Sequence, residues 1–398
     1  MASTPNFNWA TPDNTGLVKN GALDIRTLGN AIDASLVDLK GGTTGQVLSK
    51  ASNTDMDFVW AADAGAPTSL GYSAGKNKII NGDFSINQRS FTSTTTNGAF
   101  GFDRFFLQAS DGTTTWSAQT FTTGSAPVAG YEGTNYSRIV STGQTLSSAQ
   151  SRIRQNIEDV RTFAGQTVTV SFWAKAATGT PNIVPSFAQV FGSGGSANVF
   201  TAGTKQAITT SWVRYSFTVS IPSISGKTIG TSSYLSLSLF VSAGSDSNAV
   251  TDSLGIQSNT FDIWGVQVEA GSTATAFQTA TGTIQGELAA CQRYYYRQGG
   301  SNNTETFAAG FMLSTTSSLV VLNLPVTMRV APTALDYSTI YAASAGGSNL
   351  VTALALNNAG KNSVRVDVTH NAFGAGGTGV IIYANSSTSA YVGVSAEL

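Results

Sequence analysis

The stretch VRYSFTVSI, residues 213–221, alternates apolar and polar side chains with a period of two. In an extended chain, this alternation puts every apolar side chain on one face and the arginine, serines and threonine between them on the other. The pattern predicts a strand that buries one face, as the strands of a two-sheet sandwich do. The apolar members are Val213, Tyr215, Phe217, Val219 and Ile221.

Comparable runs flank this stretch at residues 167–175, 234–241 and 261–268. Clusters of Gly, Ser and Asn, which favour turns, separate the runs. We therefore predict an antiparallel β-sandwich of jelly-roll type over residues 77–282. The chain as a whole is predicted to be all-β with a short N-terminal helix.

A second set of short strands follows a helix-compatible segment at residues 284–290. It predicts a smaller C-terminal β-domain over residues 283–398. We expect the receptor-binding tip there, because binding commonly resides on loops held by a rigid scaffold. The expected strands are 293–297, 319–324, 364–368, 380–383 and 391–394. The loops expected to form the tip are 299–303, 346–349 and 373–379.

Charge and composition exclude several classes of function. Charged residues make up 11% of the 398 residues and the net charge is −1, against about 25% charged residues in a typical soluble domain. Because the chain has no cluster of Lys and Arg, it lacks the positive charge that binding to nucleic-acid phosphates requires. No apolar run is long enough to span a bilayer, so membrane insertion is not expected. Residues 1–10 show no secretory signal, and the single Cys291 excludes an intrachain disulfide, which indicates synthesis in a reducing cytoplasm.

Residues 1–40 contain a candidate oligomerisation segment. Val18, Ile25, Ile32 and Leu39 recur at seven-residue spacing, and Leu28 occupies one of the intervening core positions. This spacing predicts a short coiled-coil seam. A helix of this length is marginal alone, so we expect it to associate with other copies of the chain; the alternative is that it lies on its own domain.

Residues 41–76 continue this region with a hairpin and a linker. In GGTTGQVLSKASNTDMDFVW, residues 41–60, two short apolar runs flank a polar turn, which predicts a β-hairpin. A lone hairpin is barely stable in water, so it too implies neighbouring chains. Residues 61–76, rich in Ala, Gly and Ser, are typical of a linker.

Four stretches resemble tail-fibre proteins of tailed bacteriophages. PDNTGLVKNGALDIRTLGNAIDASL, which starts at Pro12, is similar to the segment by which such proteins attach to the tail, and residues 41–60 resemble a repeat of fibre shafts. NKIINGDFSINQR, from Asn77, and FDIWGVQVEAGSTATAF, from Phe261, resemble the opening and closing strands of phage sandwich domains related to carbohydrate-binding modules. ELAACQRYYYR followed by LNLPVTMRVAPT is similar to the start of C-terminal domains on many phage tail proteins.

The resemblance implies a homotrimeric fibre on the virion. Its N-terminus would dock on a phage tail or baseplate protein, and its β-domains would bind host surface polysaccharide or another receptor without catalysis. Two alternatives stay open. One is a structural tail or capsid decoration protein that binds no receptor, and the other is a polysaccharide depolymerase, which needs only two suitably placed carboxyl groups.

Calcium is a further expectation of the resemblance. Related carbohydrate-binding modules often bind structural calcium beside an acidic residue just after the aromatic residue of NGDF, where this chain has Ser85. Asp83 and Asp262 could still supply oxygens, but two carboxylates are few for a cation that prefers six to eight oxygen ligands. Ordinary hydrogen bonding at the strand ends is the alternative for both.

Sugar binding requires aromatic faces together with amide or carboxylate partners. Trp116 lies among threonines and serines, and Tyr131 and Tyr136 lie in a turn-rich segment, so these three are the predicted glycan-binding residues of the sandwich. Tyr294 and Tyr296 are the candidates in the C-terminal domain, unless the tyrosines there pack in a core. Trp173, Trp212 and Trp264 lie in or beside apolar strands and are predicted to be core residues.

Catalytic and metal chemistry find little support in the sequence. The only imidazole, His370, lies at the end of a predicted strand, and one His with one Cys cannot supply the ligands of a zinc site. No Gly-rich phosphate-binding motif is present. We therefore predict a protein that is not an enzyme and needs no cofactor apart from the calcium considered above.

Overall fold

The computed structural model describes residues 2–12, 14–44, 46–62, 75–299 and 302–398. Most of the predicted linker, residues 63–74, lies outside the described residues. The chain forms two compact units, Met1–Gly71 and Tyr72–Leu398. Within the described ranges, no helix combines the length and the apolar character needed to cross a bilayer.

The described part of the N-terminal unit contains one α-helix and two pairs of strands. The hairpin predicted for residues 41–60 is confirmed, with Leu48 opposite Trp60. The elements in chain order are β1 (Ala2–Ser3), β2 (Ala10–Thr11), a 3-10 turn (Val18–Asn20), α1 (Gly21–Ser35), a second 3-10 turn (Val37–Leu39), β3 (Gln46–Lys50) and β4 (Phe58–Ala62).

The predicted coiled-coil seam is longer than the helix that should carry it. Val18 and Leu39 lie in the flanking 3-10 turns, and Val18 is 98% exposed. The prediction of one helical seam through both residues is therefore wrong. The α-helix stops at Ser35, whose hydroxyl donates to the Ala31 carbonyl at 2.9 Å and accepts from the Trp9 indole at 3.1 Å, a type of side-chain bond that competes with helix continuation.

The second unit begins with two antiparallel sheets. The chain passes back and forth between them, which is the connectivity of jelly rolls, and the predicted antiparallel β-organisation is confirmed. The first sheet has, in spatial order, β14 (Val213–Ser220), β10 (Thr167–Ala176), β16 (Asn259–Ala270), β8 (Asn135–Thr142), β7 (Thr113–Thr120) and β5 (Ser93–Thr94). The second sheet has β12 (Val199–Ala202), β11 (Asn182–Val190), β15 (Tyr234–Ala243), β9 (Gln150–Ile157) and β6 (Phe105–Ser110), with β13 (Gln206–Ala207) beside the start of β11.

The core lies between the sheets and follows the predicted alternation. Phe217, Val219 and Ile221 are buried, whereas Val213 is exposed and Tyr215 is half-buried where β14 begins. The opening and closing stretches of the sandwich also meet, because the Val266 N–H donates to the Gly82 carbonyl at 2.8 Å and the Lys78 N–H donates to the Val268 carbonyl at 3.0 Å.

The C-terminal part of this unit is a closed six-stranded barrel beside a three-stranded sheet. Two helices precede it: α2 (Asn248–Thr251), after a 3-10 turn (Ser245–Ser247), and α3 (Ile284–Gln292). The small sheet has the order β17 (Tyr295–Gly299), β25 (Tyr391–Ser395) and β20 (Ala334–Tyr337). The barrel has the order β18 (Thr306–Met312), β19 (Ser317–Asn323), β23 (Ser363–His370), β22 (Gly347–Ala359), β21 (Tyr341–Ser344) and β24 (Gly379–Tyr383).

The three loops predicted to form one tip lie at two ends of this barrel. Strand β18 runs antiparallel to β24 with Phe311 opposite Gly379 and Thr306 opposite Tyr383. The loop before Gly379 therefore lies at one end, whereas residues 302–303 precede Thr306 at the other end. The loop at 346–349 lies at the same end as the loop before Gly379, since the Asn349 side chain donates to the Ala372 carbonyl at 3.1 Å. The prediction of a single tip built from all three loops is wrong.

Candidate functional site

Trp116 is fully buried, so its prediction as a glycan-binding residue is wrong. Its indole N–H donates to the Ser137 hydroxyl at 2.8 Å, and its ring lies 4.6 Å from the Phe91 ring. Thr114, two residues earlier on β7, is buried as well. Trp116 therefore belongs to the inward face of β7, and its immediate polar neighbours Thr115 and Ser117 belong to the other face.

Tyr131 and Tyr136 are half-buried in a cluster of aromatic rings. The Tyr131 ring packs edge-on against Trp264 at 5.5 Å, and the Tyr136 ring packs edge-on against Trp212 at 5.4 Å. Because the rings of Tyr131 and Tyr136 already pack against other rings, less of their surface is available to stack on a sugar. Trp173 and Trp264 are buried as predicted, and Trp212 is half-buried.

Asp83 and Asp262 do not fit a calcium site. Asp262 accepts two hydrogen bonds from Arg138, at 2.7 and 2.9 Å, and lies 3.7 Å from the Lys175 ammonium. These hydrogen bonds raise the pKa of Arg138. Asp83 accepts from the Tyr131 hydroxyl at 2.7 Å. No group of three potential metal-ligating side chains occurs in the described part of the chain, and the predicted calcium pair is wrong because Asp262 already pairs with two cations.

Tyr294 lies at the junction between the sandwich and the small sheet. It is buried, the Arg104 guanidinium lies 3.4 Å from its ring centre, and its hydroxyl donates to Glu158 at 3.0 Å. Burial is the main reason why the pKa of Tyr294 is raised. Tyr296 is half-buried and packs against the barrel core. The glycan-binding prediction is wrong for Tyr294, and the alternative that these tyrosines pack in a core describes both.

The outer face of the second sheet carries a site that the sequence analysis missed. On β15 the leucines of YLSLSLF point into the core, and Ser236 and Ser238 point outward. In the strand register, Ser238 stands between Ser186 of β11 and Arg154 of β9. Small side chains in the middle of the sheet therefore leave a depression beside a cationic strand.

This depression is a cleft of about 190 Å³, which we call the outer cleft. Phe200 of β12, 58% exposed, and Val250 of α2 stand at its sides. The segment that carries α2 is anchored on the sheet because Leu254 packs in a small buried cluster with Val184 and Phe240. The other residues that line the cleft are Gln150, Arg152, Arg154, Ser186, Phe187, Ala188, Ser238 and Ser247.

Arg154 is held in place by neighbours on the two adjacent strands, β15 and β6. It donates to the Ser236 hydroxyl, to the Gln108 side-chain oxygen at 3.3 Å and to the Tyr234 hydroxyl at 3.5 Å. Its guanidinium carbon also lies 5.7 Å from the ring centres of both Phe106 and Tyr234. These contacts fix the direction of the side chain, and no carboxylate in the described part of the chain pairs with its charge.

Arg152 is the less satisfied of the two arginines. Among the described residues, nothing accepts a hydrogen bond from its buried Nε, and its guanidinium carbon lies 4.3 Å from the Phe240 ring centre. Burial, and after it the nearby charge of Arg154, lowers the pKa of Arg152 to about 9. The guanidinium therefore remains charged at neutral pH. The signal for this site was the RIR sequence at 152–154, which puts two arginines on one face of a strand.

The comparisons with known proteins are weak. No protein-family model matches the chain, and no curated protein matches it. The chain is similar in structure to the enzymatically active domain of tailspike protein 4 of bacteriophage CBA120, with a TM-score of 0.28 and 12% identity over 49% of this chain and 22% of that one. It is also similar to the family 11 carbohydrate-binding module of Clostridium thermocellum in complex with a mixed-linked tetrasaccharide, with a TM-score of 0.29 and 12% identity over 46% and 99% of the two chains.

A third similar structure is the C-terminal family 22 carbohydrate-binding module of Xyn10B from Clostridium thermocellum. The TM-score is 0.28 and the identity 14%, over 50% of this chain and 98% of the module. TM-scores of this size assign neither a family nor a ligand to this chain.

Proposed function

We propose that this protein is a non-catalytic attachment protein that binds surface glycan through the outer cleft. The observation that carries the proposal is the cleft itself, in which serine hydroxyls and guanidinium N–H groups lie beside the exposed ring of Phe200. A sugar has hydroxyls that need hydrogen-bonding partners and an apolar ring face that packs on an aromatic side chain. The cleft offers both kinds of contact.

The sequence resemblance supports placing this binding protein on a phage virion. In that setting the N-terminal unit would form the trimer and dock on the tail or baseplate, and the second unit would face the host. A shallow cleft of this size suggests weak binding at each site. Several linked copies raise the overall avidity by about 10²–10⁴-fold without any new contact.

Binding without cleavage is part of the proposal. Glycoside hydrolysis generally uses a pair of carboxyl groups on either side of the scissile bond. The cleft is lined instead by arginines, serines, a glutamine and apolar side chains. These side chains can hold a sugar but supply no paired acid and base.

A glycan array probed with the full chain tests the proposal. We expect binding to bacterial surface glycans that is reduced about tenfold or more in Phe200→Ala, because stacking and apolar contact are lost. Phe311→Ala is the matched control, since Phe311 is a similarly exposed aromatic residue on the barrel. If the full chain bound no glycan, the structural decoration protein would become the better interpretation. If both variants bound like the parent, glycan would bind at a site other than the outer cleft.

A further inference from the structure

We infer that the outer cleft is selective for acidic sugars, with Arg152 and Arg154 binding the carboxylate of a uronic or sialic acid unit. This inference rests on the proposed glycan binding and names its substrate class.

Four buried or half-buried arginines of this unit pair with carboxylates, whereas Arg214, Arg297 and Arg329 donate to hydroxyl or backbone carbonyl oxygens. Arg104 and Arg89 pair with Glu397, Arg138 pairs with Asp262, and Arg293 pairs with Glu158. Neither Arg152 nor Arg154 makes an ion pair with any described residue. Of the two acidic residues that flank α2, Asp246 accepts a hydrogen bond from the Ser147 hydroxyl at 3.1 Å, and Asp252 accepts one from the Lys205 N–H at 3.0 Å.

Two like charges on one strand face, without a counter-ion, reduce the stability of the folded chain. Burial weakens the hydration of both guanidinium groups, and each charge disfavours the other. In a protein with only 11% charged residues, such a pair is most simply explained by an anion that binds from outside. Strained or unsatisfied groups of this kind cluster at functional sites.

The geometry favours a carboxylate on a sugar. Arg154 is fixed by Ser236, Gln108 and Tyr234, whereas no described residue accepts a hydrogen bond from the Arg152 Nε. A guanidinium group suits the planar, bidentate geometry of a carboxylate. The cleft of about 190 Å³ has room for one monosaccharide. Ser186 and Ser238 on its floor are positioned to bond the hydroxyls of the same sugar.

The test is isothermal titration of the full chain with oligosaccharides of galacturonic, glucuronic and sialic acid, each beside its methyl ester. We expect the acid to bind about tenfold or more tighter than its ester, as charge-assisted hydrogen bonds predict. In Arg152→Leu this ratio should fall close to one, and in Arg152→Lys it should be intermediate. Arg214→Leu is the matched control, because Arg214 is a half-buried arginine on the first sheet that also has an unpartnered Nε.

A melting curve of the unliganded protein separates a binding role from a structural one. Arg152→Leu should melt at or above the parent temperature because it removes an uncompensated charge, whereas Arg214→Leu should melt lower because Arg214 donates to the Ser171 hydroxyl at 2.9 Å.

Three results would overturn the inference while glycan binding stands. These are equal affinity for acid and ester, an unchanged ratio in Arg152→Leu, or sulfated sugars that bind as tightly as carboxylated ones. A full chain that binds neither acidic nor neutral glycans would instead defeat the proposed function.

Discussion

Arg104 shows how this protein stabilises a charge that it buries almost completely. The side chain is 2% exposed, stacks on Tyr294, pairs with Glu397 and donates to the Asn156 carbonyl at 2.5 Å. Arg104→Ala would leave the Glu397 carboxylate buried with less compensation. We expect this variant to lose about 3–5 kcal/mol of unfolding free energy, which calorimetric melting of the full chain would measure.

The control for that prediction is Arg161→Ala. Arg161 pairs with Asp159 at 2.7 Å, but its side chain is 62% exposed, so the loss should stay within about 1 kcal/mol. Equal losses of unfolding free energy in the two variants would show that burial does not determine how much these ion pairs contribute to stability.

For single residues, the sequence predicted which positions lie in strands better than it predicted which side chains face the core or bind a ligand. Trp116 was assigned to the surface from its polar neighbours, although alternate residues of a strand face opposite ways. Whether Trp116 or its neighbours face the core depends on the pairing of β7 with β8, and no single strand contains that information. The role of Arg152 could not be predicted for a related reason. Whether this arginine has an ion-pair partner depends on which side chains the adjacent strands place beside it.

Among the elements, the opening stretch NGDF and strand β16 lie so close together that no side chain fits at Gly82. A Cβ atom on Gly82 would lie 2.1 Å from the Val266 carbonyl oxygen. Gly82→Ala should therefore force the two backbones apart and lower the unfolding free energy by at least about 1–3 kcal/mol. Denaturant unfolding, followed by tryptophan fluorescence, would measure this change.

Gly379→Ala is the comparison, because a Cβ on Gly379, in strand β24, would meet nothing within 4 Å. A Gly82→Ala protein as stable as Gly379→Ala would contradict the close packing of the opening and closing stretches.

Strands with clear alternation were predicted well, since β10, β14 and β15 lie within one or two residues of their expected bounds. The pattern could not reveal that the C-terminal strands close into a barrel. Closure depends on the pairing of β18 with β24 across some 70 residues of sequence. The same pairing separates the loops that had been assigned to a single tip.

For the whole molecule, α1 supports the proposed oligomer. Ile25 is exposed, and Leu28 and Ile32 are only half-buried within one chain. We expect light scattering of the full chain to give a multiple of the 41.1 kDa monomer mass, and the double variant Leu28→Asp, Ile32→Asp to shift it toward the monomer because charges cannot pack in an apolar seam.

Asn30→Asp, an exposed position on the same helix, should leave the mass of the oligomer unchanged. If the parent chain were already monomeric, or if the double variant kept the oligomer, this helix would have no role in self-association.

The most direct test of surface adhesion without cleavage is to incubate the full chain with purified bacterial surface polysaccharides, acidic ones included. Polymer retained on the protein and newly formed reducing ends are then measured in the same sample. The account predicts that polymer is retained, that less is retained by Phe200→Ala, and that the number of reducing ends stays constant. Accumulating reducing ends, or no retention of any polysaccharide, would contradict it.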